Sequence, residues 1–207
     1  MNMLHTGNKG SGVIAVDFDD VVSNFNVSFS AFHNREFGTK VKFSDIHNYQ
    51  LGLVYGVDET VIMKRIMHFC HHYHDELRLI DGVKEGLISL NEQFDLQIVT
   101  SRKDTLRVIT ENWISQYLPH VFSAVHFTGS FGDQEITHTN SKSTVCKEIG
   151  AVVLIEDALH HALEASDNDV PTILVDNPWN QGGLPDQVTR VRDWSEITPQ
   201  LVHRVGG

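Results

Sequence analysis

Along this chain, short apolar runs rich in β-branched residues alternate with stretches of helical periodicity. Gly12–Val16, Asp95–Val99 (DLQIV), Ala124–Phe127, Ala151–Ile155 (AVVLI) and Thr172–Val175 (TILV) read as strands, with Val188–Val191 as a short sixth. Helical patterns fall between them, at 82–93, 104–117, 142–149, 158–166 and 194–204. A run that is apolar without alternation has both faces buried, and a strand that waits for a helix before its neighbour pairs in parallel. The pattern therefore predicts an α/β fold, a parallel sheet with helices on both faces.

One stretch breaks the rhythm. Residues 24–80 carry two helical patterns and no convincing strand. Phe25, Phe29 and Phe32 fall at i, i+4 and i+7, and Val57, Val61, Met63, Ile66, Phe69 and Cys70 give a second, less regular stripe. This is expected to be a helical insertion, its aromatic triplet forming its own small core, between the first and second strands. The core is then 12–23 plus 81–207, and residues 1–11, polar and Gly-rich with no signal-peptide core, read as a loose tail.

The balance of 16 Lys+Arg against 27 Asp+Glu gives a formal charge of −11. A chain so acidic is repelled by nucleic-acid polymers and by anionic membranes, so neither is expected as a partner. No apolar run approaches the roughly 20 residues of a membrane helix, and a cytoplasmic location is expected. Cys70 and Cys146 lie in helical patterns without a CxxC pair, which argues against a disulfide framework. Oligomeric state has no signal in the sequence.

Ligands of open parallel sheets gather at the carboxyl ends of the strands. The first run ends in Asp17, with Asp19 two residues on, so both carboxylates can project to one side. The second is followed by Thr100, Ser101 and Arg102, the fourth by Glu156 and Asp157, and the fifth by Asp176. Strand ends are polar in any solvated loop; what is informative is the set and its order. A carboxylate pair can divide nucleophilic and proton-transfer work if a cation offsets the local charge.

The set resembles the haloacid dehalogenase (HAD) superfamily of phosphohydrolases. The resemblance is carried by DFDDV at 17–21, an apolar run ending in Thr100, Lys142 opening a helix, and the pair Glu156–Asp157, which together span nearly the whole core. It implies a Rossmann-like fold with a small helical cap inserted after the first strand, where 24–80 lies. It implies Asp17 as nucleophile, forming an aspartyl-phosphate, and Asp19 as general acid–base. Thr100 and Ser101 would bind phosphoryl oxygens, although Ser101 also reads as a helix-entry residue. Lys142 would neutralise charge, and a lysine at a helix N-terminus opposes the macrodipole, so a functional reason is welcome. Lys147 competes for that role but reads better as a surface lysine. Magnesium is implied, held by the Asp17 side chain, the Asp19 backbone carbonyl and Asp157, with Glu156 behind; the order of the last two is not decided by sequence. Asp20 is expected to face away and cap the following turn.

Within the superfamily, TSR at 100–102, KSTVCKEIGA at 142–151, IEDALHHALEA at 155–165 and VDNPWNQ at 175–181 are most similar to 5′(3′)-deoxyribonucleotidase-like members. The implied substrate is a small phosphorylated molecule, a nucleoside monophosphate being a lead. Phe25, Arg102 and Trp179 are candidate substrate contacts, with packing into the core the competing reading of Trp179. A non-catalytic phospholigand binder and a phosphotransferase or mutase remain open. His68, His71, His72 and His74 suggest a metal cluster, but no acid or Cys arrangement accompanies them, and they are expected to form a solvated surface.

Overall fold

The computed structural model of the chain describes residues 10–130 and 141–207. Most of the expected tail, residues 1–9, lies outside that range. Six strands form one sheet: β1 (Val13–Val16), β2 (Asp95–Thr100), β3 (Ala124–Phe127), β4 (Ala151–Glu156), β5 (Thr172–Val175) and β6 (Val188–Val191). The order is β3-β2-β1-β4-β5-β6 and every neighbouring pair is parallel. Val16 stands beside Ile98 on one side and Ile155 on the other, which brings the ends of β1, β2 and β4 level.

Strands fully apolar in sequence are buried on both faces. Ile14, Val16, Leu96, Ile98, Val153 and Ile155 share one layer. Ala15, Val99, Leu154, Cys146 and Ala165 share the other. The helices covering these faces are α4 (Val83–Asn91), α5 (Arg107–Tyr117), α6 (Lys142–Glu148), α7 (Leu159–Asp167) and α8 (Pro199–Gly206). Gly12, expected in the first strand, instead sits at φ 103°, and a Cβ there would lie 2.8 Å from Val152 Cγ1. A positive φ is outside the β region, so the strand begins at Val13.

The helix expected at 194–204 is divided. A 3₁₀ turn at Trp194–Glu196 is followed by α8, which starts at Pro199. Proline has no N–H and clashes with the preceding turn, so it cannot continue a helix but is favourable at its first position. Thr198 caps that start, its side chain accepting from Leu201 N–H. Cys70 and Cys146 are both buried and free, as expected.

Between β1 and β2 lie α1 (Phe25–Phe37), α2 (Leu51–Tyr55) and α3 (Glu59–His72). The short α2, closed by Gly56 in the left-handed region, was not evident in the sequence pattern. The Phe25/Phe29/Phe32 stripe packs inward: Phe29 stacks on Phe25 at 5.8 Å and meets Tyr55 and Phe69 edge-on. These rings belong to the same apolar cluster as the sheet, so the insertion's core is continuous with that of the strands. No described helix is long and apolar enough to cross a membrane.

Candidate active site

β1 delivers Asp17 to the switch point, where the connections leave in opposite directions along the sheet. Its N–H still donates to Ile155 O at 2.9 Å, so β4 fixes its height. Lys142 reaches the same point from the first turn of α6, whose cap is Ser141 accepting from Thr144 N–H. The Lys142 ammonium is 2.6 Å from Asp17 Oδ1 and 2.7 Å from Glu156 Oε2. The residue is only 2% exposed, whereas Lys147 on the same helix faces outward.

Glu156 and Asp157 are set apart by their partners. Glu156 Oε2 takes Lys142, while Oε1 accepts the N–H groups of Asp157 and Ala158, so both oxygens are engaged. Asp157 Oδ2 accepts Trp179 Nε1–H at 2.7 Å and Tyr49 O–H at 3.3 Å. Its backbone carbonyl accepts Tyr49 and Asn180. Trp179 is thus buried against an acid of the site, with Phe43 edge-on at 5.3 Å. Oxygens of Asp17, Glu156 and Asp157 lie within 4.8 Å of one another, the one such metal-capable group among the described residues.

The charge is out of balance. Burial pushes the Asp17 carboxyl up to about 7; Lys142 opposes this, and Glu156 and Asp19 add to it. Burial, then Glu156 and Asp17, also hold Asp157 well above the carboxylate range. Glu156 goes the other way: burial would raise it, but Lys142 and nearby donors keep it below its ordinary value. Lys142 is itself raised, because despite burial it lies between two carboxylates. One lysine therefore serves Asp17, Glu156 and Asp157, and a divalent cation is the natural complement of a donor set made of carboxylate oxygens.

Thr100, at the end of β2, is 1% exposed, and its Oγ1 accepts Arg102 N–H. Ser101 Oγ lies 3.1 Å from His161 Nε2. Asp19 and Arg102 form a forked pair, Nε to Oδ2 and Nη2 to Oδ1, both 2.8 Å. Asp20, expected to face away, is instead buried and lines the cavity of the site; at φ 56° it accepts Asn26 N–H at 2.9 Å and so caps the start of α1. Asp17, Asp19, Thr100, Ser101, Lys142 and Asp157 line a cavity of about 280 Å³, closed on the far side by Phe25, Asn26, Ile46, Tyr49, Leu51 and Met63 of the insertion.

Three further sequence expectations change here. Arg102 does not line the cavity; it is 2% exposed behind Asp19. Asp176 does not join the site, because β5 is two strands from β1 and Asp176 pairs with Arg190 at 2.7 Å. Of the four histidines expected to form a solvated surface, His68, His71 and His72 are exposed, but His74 is buried against Arg102. Tyr49 and His161 were missed. Neither stands at a strand end, and only the IEDALHHALEA segment drew attention to His161 at all.

A parallel sheet of this order, with acids, threonine and lysine converging at its switch point, defines a HAD-type phosphohydrolase. Residues 11–205 match the family model for 5′ nucleotidase, deoxy (pyrimidine), cytosolic type C protein, and the chain belongs to that family. A protein of Halalkalibacterium halodurans carried as a provisional nucleotidase is 26% identical over 183 residues, 87% of this chain and 88% of that one. Solved structures with the same fold include a haloacid dehalogenase-like hydrolase from Streptococcus pneumoniae, with TM-score 0.62 and 13% identity, covering 89% of this chain and 95% of that chain. Another is a provisionally assigned HAD hydrolase of Bacillus subtilis bound to magnesium, with TM-score 0.59 and 16% identity, covering 93% and 97%.

Proposed function

We propose that the protein is a magnesium-dependent phosphatase acting on a small phosphomonoester, with a nucleoside monophosphate as the leading candidate, through an aspartyl-phosphate on Asp17. The observation that carries this is the buried Lys142 shared by Asp17 and Glu156, with Asp157 alongside. In this reading Asp17 Oδ attacks phosphorus while Lys142 and Thr100 bear the negative charge of the transferring group. Asp19 gives a proton to the departing alkoxide as its bond to phosphorus breaks, then takes one from the water that attacks the aspartyl-phosphate and frees Asp17. Magnesium, held by Asp17, the Asp19 backbone carbonyl and Asp157, would supply electrostatic stabilisation of the phosphoryl oxygens. Glu156, whose oxygens are taken up by Lys142 and two backbone donors, stays behind the metal ligands. Ser101, beside His161, adds a hydroxyl to the phosphate side.

Residues 24–80 act as a cap in this proposal, with 12–23 and 81–207 as the catalytic core. The core groups recognise a phosphoryl group and little else, so the choice of alcohol falls to Phe25, Ile46, Leu51 and Met63 on the insertion's side of the cavity. The names of the family and of the Halalkalibacterium relative support a nucleotide substrate. The magnesium in the Bacillus structure supports the metal.

The test is turnover of an aryl phosphate and of a panel of phosphorylated metabolites, with magnesium and with EDTA, by wild type and Asp17→Asn. The expected result is metal-dependent release of phosphate, absent in the variant, with a nucleoside monophosphate among the preferred substrates. Binding of phosphorylated ligands without turnover would make the protein a phospholigand binder, and transfer to a second alcohol in preference to water would make it a phosphotransferase.

A further inference from the structure

We infer that Arg102 is the positioning residue of Asp19: it holds the carboxylate in place and in plane from behind, without touching substrate. The inference rests on Asp19 being the acid–base group proposed above. The guanidinium is 2% exposed, while the Asp19 side chain is 26% exposed and lines the cavity. Nε and Nη2 grip the two carboxylate oxygens at 2.8 Å each. A fork of this kind fixes the plane of a carboxylate as well as its distance, which a lysine ammonium cannot do.

The remaining edge of the guanidinium is fixed as well. Nη1 donates to His74 Nε2 at 2.6 Å and to Thr110 Oγ1 at 3.0 Å. Because Arg is only a donor, His74 Nε2 must be unprotonated and accept. Thr110 Oγ1 in turn donates to Leu106 O at 2.9 Å, so its orientation is set by α5. The guanidinium carbon lies over the Phe18 ring, 4.5 Å from its centroid. Phe18 stands between Asp17 and Asp19 in the chain, so the residue that packs Arg102 also joins nucleophile to acid–base group. His74 lies two residues beyond α3, near the end of the insertion, so Arg102 ties Asp19 both to α5 and to the segment that leads back to the sheet.

The experiment compares kcat/KM for an alkyl phosphate and an activated aryl phosphate in wild type, Asp19→Asn, Arg102→Gln and Arg102→Lys. This quantity covers phosphoryl transfer to Asp17 and departure of the alcohol. An alkoxide needs a proton and a nitrophenolate does not, so loss of aimed acid catalysis raises the aryl-to-alkyl ratio. General acids contribute about 10²–10⁴-fold, so a rise of at least about tenfold is expected in Arg102→Gln, matching Asp19→Asn in direction. Arg102→Lys keeps the charge and loses the fork; its ratio should rise by about threefold or more. If Asp19→Asn raises the ratio and both Arg102 variants leave it at the wild-type value, the inference is overturned while the role of Asp19 stands. If no variant changes the ratio, the acid–base reading of Asp19 fails and takes the inference with it. A rise in KM shared equally by both substrates would make Arg102 a binding residue and overturn the inference. Should Arg102→Gln fail to fold, Arg102→Lys decides by the same criterion.

Discussion

Replacing Lys142 by methionine tests the charge arrangement of the site directly, because it removes one cation and little volume. Each contact of the ammonium, at 2.6 Å to Asp17 and 2.7 Å to Glu156, is worth about 6 kcal/mol of gross attraction at an effective dielectric of about 20. The variant no longer has to desolvate a lysine, and its carboxylates can take up protons, so most of that attraction is offset. Breaking a buried pair from one side leaves a net loss of about 3–5 kcal/mol. For a chain of this size that is a fall of roughly 10 °C in Tm. Its pH dependence has a definite sign. The folded Asp17 carboxyl is already raised to about 7 against its ordinary 3.8; losing the lysine raises it further and removes the main charge that keeps Glu156 below its ordinary value. A carboxyl raised in the folded state costs stability as pH rises through its folded value. The deficit of Lys142→Met should therefore be small near pH 5 and largest near pH 8. Thermal unfolding in EDTA from pH 5 to 8, followed by circular dichroism, measures it. Phosphatase activity should fall by about 10²–10³. A deficit under about 1 kcal/mol, or one that does not vary with pH, would refute this account of the site's electrostatics.

Three other perturbations have expected outcomes. Trp179→Phe keeps the packing but removes the N–H held at 2.7 Å by Asp157 Oδ2; the magnesium concentration for half-maximal activity should rise about 10–100-fold, with kcat at saturating metal changing less. Asp20→Ala removes the acceptor of Asn26 N–H at the start of α1, and calorimetry should show a loss of about 1 kcal/mol, since a helix cap is worth that much. Calcium should compete with magnesium and inhibit, because its larger and more variable oxygen shell does not hold the in-line geometry; the readout is phosphate release at fixed magnesium with calcium added.

The sequence by itself determined the layers of this protein and the ends of its strands. Continuous apolar runs such as VIAV and AVVLI bury both faces of a parallel strand whatever lies around them. That local rule was enough to mark Asp17, Thr100 and Asp157 as residues that meet at one end of the sheet. The position of Lys142 was legible for a related reason, since a lysine in the first turn of a helix opposes the dipole unless something anionic receives it. Helix ends were less legible, and Pro199 shows why: the apolar pattern of 194–204 runs on through a residue whose ring cannot continue a helix. Only the tertiary structure decided what stands behind each acid. Arg102 meets Asp19 across 83 residues, Tyr49 meets Asp157 across 108, and Ser101 meets His161 across 60. No periodicity or spacing encodes such pairs, because each depends on how the insertion and the crossover helices come to rest on the sheet. The sequence could therefore name the atoms that face a phosphoryl group, while the fold had to say which neighbours hold them there.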